Sequence, residues 1–308
     1  MMPTKTSAQR LVIAVSSRAL FDLDEAAQVY DSKGVEAYRA YQRRRERQVL
    51  KPGVAFPFIR RLLAVNALAP ESPPVEVVLV SRNDADTGLR VRNSLDHHGL
   101  DISRTIFTGG QAPWPYLDAF DSCLFLSAHQ QDVEAAIHKG YAAGTVLKST
   151  FPADDGRELR IAFDFDGVLA DDEGELIYAR KGLKAFQANE RAKANRPLSA
   201  GPLQRLLKHI ARLQRMETER IACDPTWRRS LRTAIITARS APADRRVITT
   251  LRRWGIGVDE AFFIGDMAKA EILRHFRPHI FFDDKRANAE LAADVVPAVH
   301  VPFGVNNL

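Results

Sequence analysis

The chain has 308 residues, long for one compact domain and comfortable for two. Its 45% hydrophobic and 27% charged residues are typical of a soluble globular protein, and no apolar run approaches the roughly 20 residues of a membrane helix. Two cysteines exclude a disulfide scaffold, the N-terminus shows no apolar signal core, and a net charge of +6 fits an anionic ligand without requiring nucleic acid. A reducing cytoplasm is the simplest compartment.

In chain order, a buried-type strand at 11–15 leads into a charged, helical stretch. Its basic run Arg43-Arg44-Arg45-Glu46-Arg47 reads as a solvated helix face, because no aromatic-basic signature accompanies it. An apolar helix follows at 58–66, a strand at 75–80, an amphipathic helix at 87–97 and a short strand at 105–107. A helix at 114–120 leads to a last apolar strand at 122–126. Residues 149–157, rich in Pro, Asp and Gly, read as a linker. The string then recurs: strand 159–163, charged helical insert 170–201, helix 203–213, strand 233–236, helix 243–254, strand 261–264, helix 269–276 and strand 279–282. Strands alternating with helices predict parallel βαβ units, an α/β sheet with helices on both faces.

The recurrence extends to residues. Residues 13–53 lie over 161–201 without a gap, matching Ile13 to Ile161, Glu25 to Glu173, Tyr30 to Tyr178, Gly34 to Gly182 and Gly53 to Gly201. Residues 78–136 lie over 234–292, matching Arg90 to Arg246, Leu95 to Leu251, Gly99 to Gly255, Gly109 to Gly265 and Phe125 to Phe281. Two long ungapped registers read as an internal duplication. The expected boundaries are a first unit at 1–148, a linker at 149–157 and a second unit at 158–308.

In parallel sheets, ligands gather beyond the carboxyl ends of the strands. In the second unit the first strand ends in Asp164-Phe165-Asp166-Gly167. Two carboxylates that close need a cation or a shared proton, and hard oxygen donors suit Mg²⁺. The next strand ends in Thr237-Ala238-Arg239, where a hydroxyl and the following amides make a cradle for phosphate oxygens. Taken alone, Thr237 reads as a helix cap and Lys269 as a surface lysine. The last strand ends in Asp283-Asp284, an acidic pair that calls for a cation beside it.

In this order, each at a strand end, the motifs resemble the haloacid dehalogenase superfamily: DxDG, then Thr, then Lys, then an acidic pair. More closely, DFDGVLADDEGELIYARKGLKAF, PLSAGPL, TARSAPA and HIFFDDK look like the cytosolic 5′-nucleotidase type I family and its bacterial relatives. So do LVIAVSSRALFDLDE, VVLVSRNDADTGLRV and FTGG of the first unit. The resemblance spans nearly the whole chain. It implies two tandem haloacid-dehalogenase-like, Rossmann-type units with parallel sheets, each with a small helical cap insert, at 170–201 in the second.

It further implies a Mg²⁺-dependent 5′-nucleotidase acting on nucleoside monophosphates, AMP being the family's usual substrate. Asp164 would be the nucleophile and Asp166 the acid and base. Mg²⁺ would rest on Asp164, the Asp166 backbone carbonyl and Asp284. Thr237 and Lys269 would hold phosphate oxygens, and Asp283 would orient Lys269 or a metal-bound water. Thr237, Ala238 and Arg239 with Tyr178, Phe186 and Asn189 of the insert are the substrate-contact candidates; Tyr178 and Phe186, eight apart, read more readily as one apolar helix face. Rival readings are a phosphatase or phosphotransferase for another small phosphomonoester, and a nucleotide-sensing binding protein. In the first unit the registers put Ser16 for Asp164, Arg18 for Asp166, Ser81 for Thr237, Pro113 for Lys269, Ser127 for Asp283 and Ala128 for Asp284. That unit is expected to be catalytically silent. It reads as a structural half, or as a phosphate site built on Ser16, Arg18, Ser81 and Arg82, since arginine suits phosphate, whose ligand is a nucleotide effector or the substrate itself. No membrane or nucleic-acid partner is expected, and a homo-oligomer stays open.

Overall fold

The structure, a computed structural model, describes residues 10–149 and 156–307. Most of the expected linker, 150–155, lies outside the described residues. The chain divides into two compact units, Met1–Val146 and Leu147–Leu308. Among the described residues no helix is long and apolar enough to cross a membrane.

The first unit runs β1 (Leu11–Ser16), α1 (Ser17–Leu20), α2 (Asp24–Arg44), α3 (Phe56–Ala64), β2 (Val75–Ser81), α4 (Leu89–His97), β3 (Arg104–Phe107), β4 (Leu124–Ser127), α5 (Gln130–His138) and β5 (Ala143–Val146). The strand order is β3-β2-β1-β4-β5, and the pairs are parallel. All six residues of β1, LVIAVS, are buried, as a strand covered on both faces requires. The helix expected at 114–120 is instead two single 3-10 turns, Trp114–Tyr116 and Asp118–Phe120. The strand expected last in this unit is followed by a further helix and strand, α5 and β5.

The second unit runs β6 (Leu159–Phe163), α6 (Glu173–Ala192), α7 (Gln204–Cys223), β7 (Leu231–Thr237), α8 (Asp244–Trp254), β8 (Glu260–Phe263), α9 (Lys269–Phe276), β9 (Ile280–Asp283), α10 (Arg286–Ala293) and β10 (Ala298–His300). The order is β10-β9-β6-β7-β8, again parallel. Helix α7 runs well past the expected 203–213, and the buried face set by Leu206, Leu207, Ile210 and Leu213 continues in polar Gln214 and Glu217. Again a helix and a short strand, α10 and β10, follow the expected last strand.

Between β6 and α7 the chain makes an excursion containing α6. Its two ends are tied together: Asp171 N donates to Ser199 O at 3.1 Å, Gly201 N to Leu169 O at 2.9 Å and Leu203 N to Val168 O at 2.9 Å. A Cβ on Gly201 would lie 2.4 Å from Ala170 O, so the close approach needs glycine. Helix α6 breaks at Gly182, which takes φ 77°, and α2 breaks at Gly34 with φ 80°.

Candidate active site

The register sets the site. Phe163 pairs with Phe282 of β9 and with Ile235 of β7, so the residues after β6 sit between the ends of both neighbours. Asp164 N donates to Phe282 O at 2.8 Å, which fixes where the Asp164 side chain emerges. Gly167 then turns with φ 68°, and a Cβ there would meet Asp284 Cγ at 2.7 Å. Only glycine lets this turn lie against the Asp284 carboxyl.

Asp164 Oδ2 lies 2.7 Å from Lys269 Nζ, at the first residue of α9. The same ammonium donates to Asp283 Oδ2 at 2.6 Å. Asp283 Oδ1 accepts from Lys285 N at 2.9 Å and Asn288 Nδ2 at 3.3 Å, so this carboxylate is held on both oxygens. Carboxylate oxygens of Asp164, Asp283 and Asp284 lie within 4.8 Å of one another, and all three residues are buried. The backbone carbonyl of Asp284 meets His300 Nε2 at 3.1 Å and accepts from Asn307 Nδ2 at 2.9 Å.

One ammonium among three buried carboxylates leaves negative charge over. Burial, with the charges of Asp283 and Asp166 outweighed in part by Lys269, pushes the Asp164 carboxyl up to about 7. Burial pulls Lys269 down, but Asp164 and Asp283 outweigh it and hold its ammonium above the ordinary lysine value. A buried, oxygen-only donor set with surplus negative charge fits a hard divalent cation such as Mg²⁺.

Asp166, also buried, accepts a guanidinium fork from Arg239: Nε to Oδ2 and Nη2 to Oδ1, both at 2.7 Å. Thr237 is buried at the end of β7, and its Oγ1 accepts from Arg239 N at 3.2 Å, which leaves the hydroxyl proton available to another acceptor. Ala238 is exposed beside it. Of the insert residues, Tyr178 is exposed, and its ring meets Phe186 edge-on at 6.4 Å. Phe186 also lies under the Arg239 guanidinium, 5.5 Å from ring centre to Cζ. Asn189 Nδ2 donates to Glu190 Oε1 at 3.0 Å. Arg239 itself turns inward, its guanidinium engaged by carboxylates. Sequence reasoning missed Glu190, Arg246 and Glu173, whose carboxylates and guanidinium continue from Arg239. Their sequence signals are the acids on a mixed-charge helix and the matches of Arg246 to Arg90 and of Glu173 to Glu25 across the two registers.

In the first unit, Ser16 Oγ accepts from Ala19 N at 3.2 Å, and Ser17 Oγ meets Ser81 Oγ at 2.9 Å. Arg82 forks onto buried Asp132 at 3.0 and 2.6 Å and donates to Gly110 O at 2.7 Å. Its guanidinium is therefore committed within the unit, while Arg18 is exposed.

Residues 2–308 match the family model described as 5′-nucleotidase. Cytosolic 5′-nucleotidase 1B of Homo sapiens is 39% identical over 290 residues, a match covering 91% of this chain and 47% of that protein. The chain spans about half the length of that curated relative. No solved structure matches.

Proposed function

The chain belongs to the 5′-nucleotidase family, and on that premise we propose that it hydrolyses nucleoside 5′-monophosphates, AMP foremost, in a Mg²⁺-dependent reaction through a phosphoaspartyl intermediate. One observation carries the reading: Asp164 is buried against Lys269 and the Asp283–Asp284 pair at the ends of adjacent strands. Asp164 attacks the phosphorus in line while the bond to the nucleoside 5′-oxygen breaks. Asp166 gives that oxygen its proton, then takes one from the water that cleaves the acyl phosphate. The Thr237 hydroxyl, the Ala238 amide and the Lys269 ammonium hold the equatorial oxygens. Asp283, held by Lys285 N and Asn288, keeps Lys269 aimed. Mg²⁺, held by Asp164, the Asp166 backbone carbonyl and Asp284, supplies charge neutralisation at the phosphate when bound. Tyr178, an exposed aromatic ring of the insert, is the side chain assigned to meet a base.

The two units are two copies of one sequence, the first with its chemistry lost. Support comes from hydrogen bonds that recur at matching positions. Leu50 N donates to Ser94 Oγ and Leu198 N to Thr250 Oγ1, each at 3.0 Å. Arg90 Nε donates to Gln48 O at 2.9 Å, and Arg246 Nε to Arg196 O at 3.0 Å. The first unit, with Ser16 and Arg18 at the acid positions, is silent in catalysis.

The test is a phosphate-release screen over nucleoside monophosphates and sugar phosphates, with and without Mg²⁺. Release that is greatest on nucleoside monophosphates, requires Mg²⁺ and vanishes in Asp164→Ala supports the reading. Full release by Asp164→Ala refutes it.

A further inference from the structure

Beyond the reacting groups, the second unit buries a run of alternating charge. Arg239 is 3% exposed and Glu190 is fully buried. Arg239 forks onto Asp166, and its Nη1 donates to Glu190 Oε2. Glu190 Oε1 accepts from Arg246 Nη1 at 2.8 Å, and Arg246 Nη2 donates to Glu173 Oε2 at 2.9 Å. Glu173 pairs in turn with Lys193. Three of these residues, Glu173, Glu190 and Lys193, belong to the insert. A Cβ on Gly174 would lie 2.7 Å from Arg239 Nη2, so the backbone of α6 also crowds this guanidinium. Buried ion pairs are seldom better for stability than apolar packing of equal volume. Stability alone therefore gives no reason for this run.

The first unit supplies the contrast. Where Asp166 has become Arg18, Arg239 has become Asn83 and Glu190 has become Gln42, under the same two registers. The neutral side chains continue from the Arg90 guanidinium: Arg90 Nη1 donates to Gln42 Oε1 at 3.2 Å, Gln42 Nε2 to Tyr38 Oη at 3.0 Å, and Tyr38 Oη to Asn83 Oδ1 at 2.6 Å. Arg90 persists where Arg246 stands. The charges at 239 and 190 are thus present in the unit that has the acid and absent in the unit that has lost it.

We infer that Arg239 is a positioning residue for Asp166, and that Glu190 of the insert holds Arg239 in that pose, so that the insert seats the acid and base of the reaction. A carboxylate has about four acceptor sites. The fork takes one on each oxygen and fixes the carboxylate plane, leaving one on each for the proton in transit. A lysine would supply the charge without the plane. The inference rests on the reaction proposed above.

The test measures kcat and KM with AMP and Mg²⁺, and thermal unfolding of the same samples. The proteins are wild type, Arg239→Asn, Glu190→Gln and the double variant carrying both, which reproduces the pair in the first unit. Arg239→Asn is expected to lower kcat on the order of 100-fold or more, with KM within about threefold, and to melt lower. Adding Glu190→Gln is expected to recover part of the melting temperature, because Glu190 is then no longer a buried carboxylate short of one of its two guanidinium partners while Asp166 still lacks its fork, and to leave kcat low. Recovery of kcat along with melting in the double variant overturns the inference, since the role would then be structural. A raised KM at unchanged kcat overturns it too, since Arg239 would then contact substrate. Should Arg239→Asn fail to fold, Arg239→Lys replaces it, and a wild-type kcat there is equally fatal. Wild-type protein without Mg²⁺-dependent release on any nucleoside monophosphate overturns the nucleotidase reading and this inference with it; an active wild type with any contrary result above overturns this inference alone.

Discussion

Replacing Asp164 by Asn separates what the nucleophile does for catalysis from what it costs the fold. Its carboxyl is raised from the ordinary 3.8 to about 7, with burial as the first cause. The sign follows from which state holds the proton. Between those two values the metal-free native protein keeps it and the unfolded chain has lost it. Stability therefore falls as pH rises through that window, by 1.36 kcal/mol for each pH unit, or on the order of 4 kcal/mol in all. At 2–4 °C per kcal/mol, a figure for chains of 150–250 residues, the loss is a fall of roughly 10 °C in melting temperature. Asp164→Asn has no such proton, so its metal-free melting curve lacks this slope. The assay is thermal unfolding of both proteins from pH 4.5 to 8 in chelator, repeated with Mg²⁺. The wild type is expected to lose stability toward pH 8 relative to the variant, and to regain it with Mg²⁺, which compensates the ionised cluster. The variant should release no phosphate. Parallel melting curves for the two proteins across this range would refute the reasoning.

Lys269→Met removes the one ammonium shared by Asp164 and Asp283. It is expected to cost about 3–5 kcal/mol in the metal-free protein and 10²–10³-fold in kcat with metal, read by denaturant unfolding and steady-state kinetics. Gly167→Ala places a methyl 2.7 Å from Asp284 Cγ at a positive φ, so Mg²⁺ titration by calorimetry should show weaker binding than wild type, while Gly257→Ala, with open space around its Cβ, should not. For the first unit, nucleotide binding to Asp164→Asn protein is compared with and without Arg18→Ala. Loss of a second binding event supports an effector site there, and unchanged binding leaves that unit a structural half.

The strand ends were legible because each motif is a short contiguous stretch: DFDG after one apolar run, T-A-R after another, DD after a third. Contiguity did not divide the acidic pair: only the structure sets Asp283 against Lys269 at the end of β9 and Asp284 beside Gly167. The Arg239 run was not legible. Its partners lie 73 and 49 residues away, and Glu190 sits in a helix where Arg180, Lys181, Lys184 and Arg191 are all exposed. Periodicity marks which face of a helix is apolar and is blind to one buried acid on it. The strands β5 and β10 escaped notice for a different reason. AGTV and AVH are too short and too small to stand out from the turns around them. The 114–120 stretch has the apolar content of a helix but forms two 3-10 turns that end at Asp121, whose φ is positive.

The tied neck of the insert bears on how specificity can be exchanged. Because residues 171 and 199 already meet, the segment between them is a cassette whose ends are joined before its contents are chosen, and the strands beneath do not feel its length. Arg239 and Arg246 limit that freedom. A foreign cassette must deliver an acid to the place of Glu190 or leave a guanidinium stranded in the core. Chimeras built at this neck should therefore sort by the charge they bring to one position, and those lacking it become acceptable hosts once residue 246, whose partners Glu173, Glu190 and Arg196 O all lie in the cassette, is made neutral.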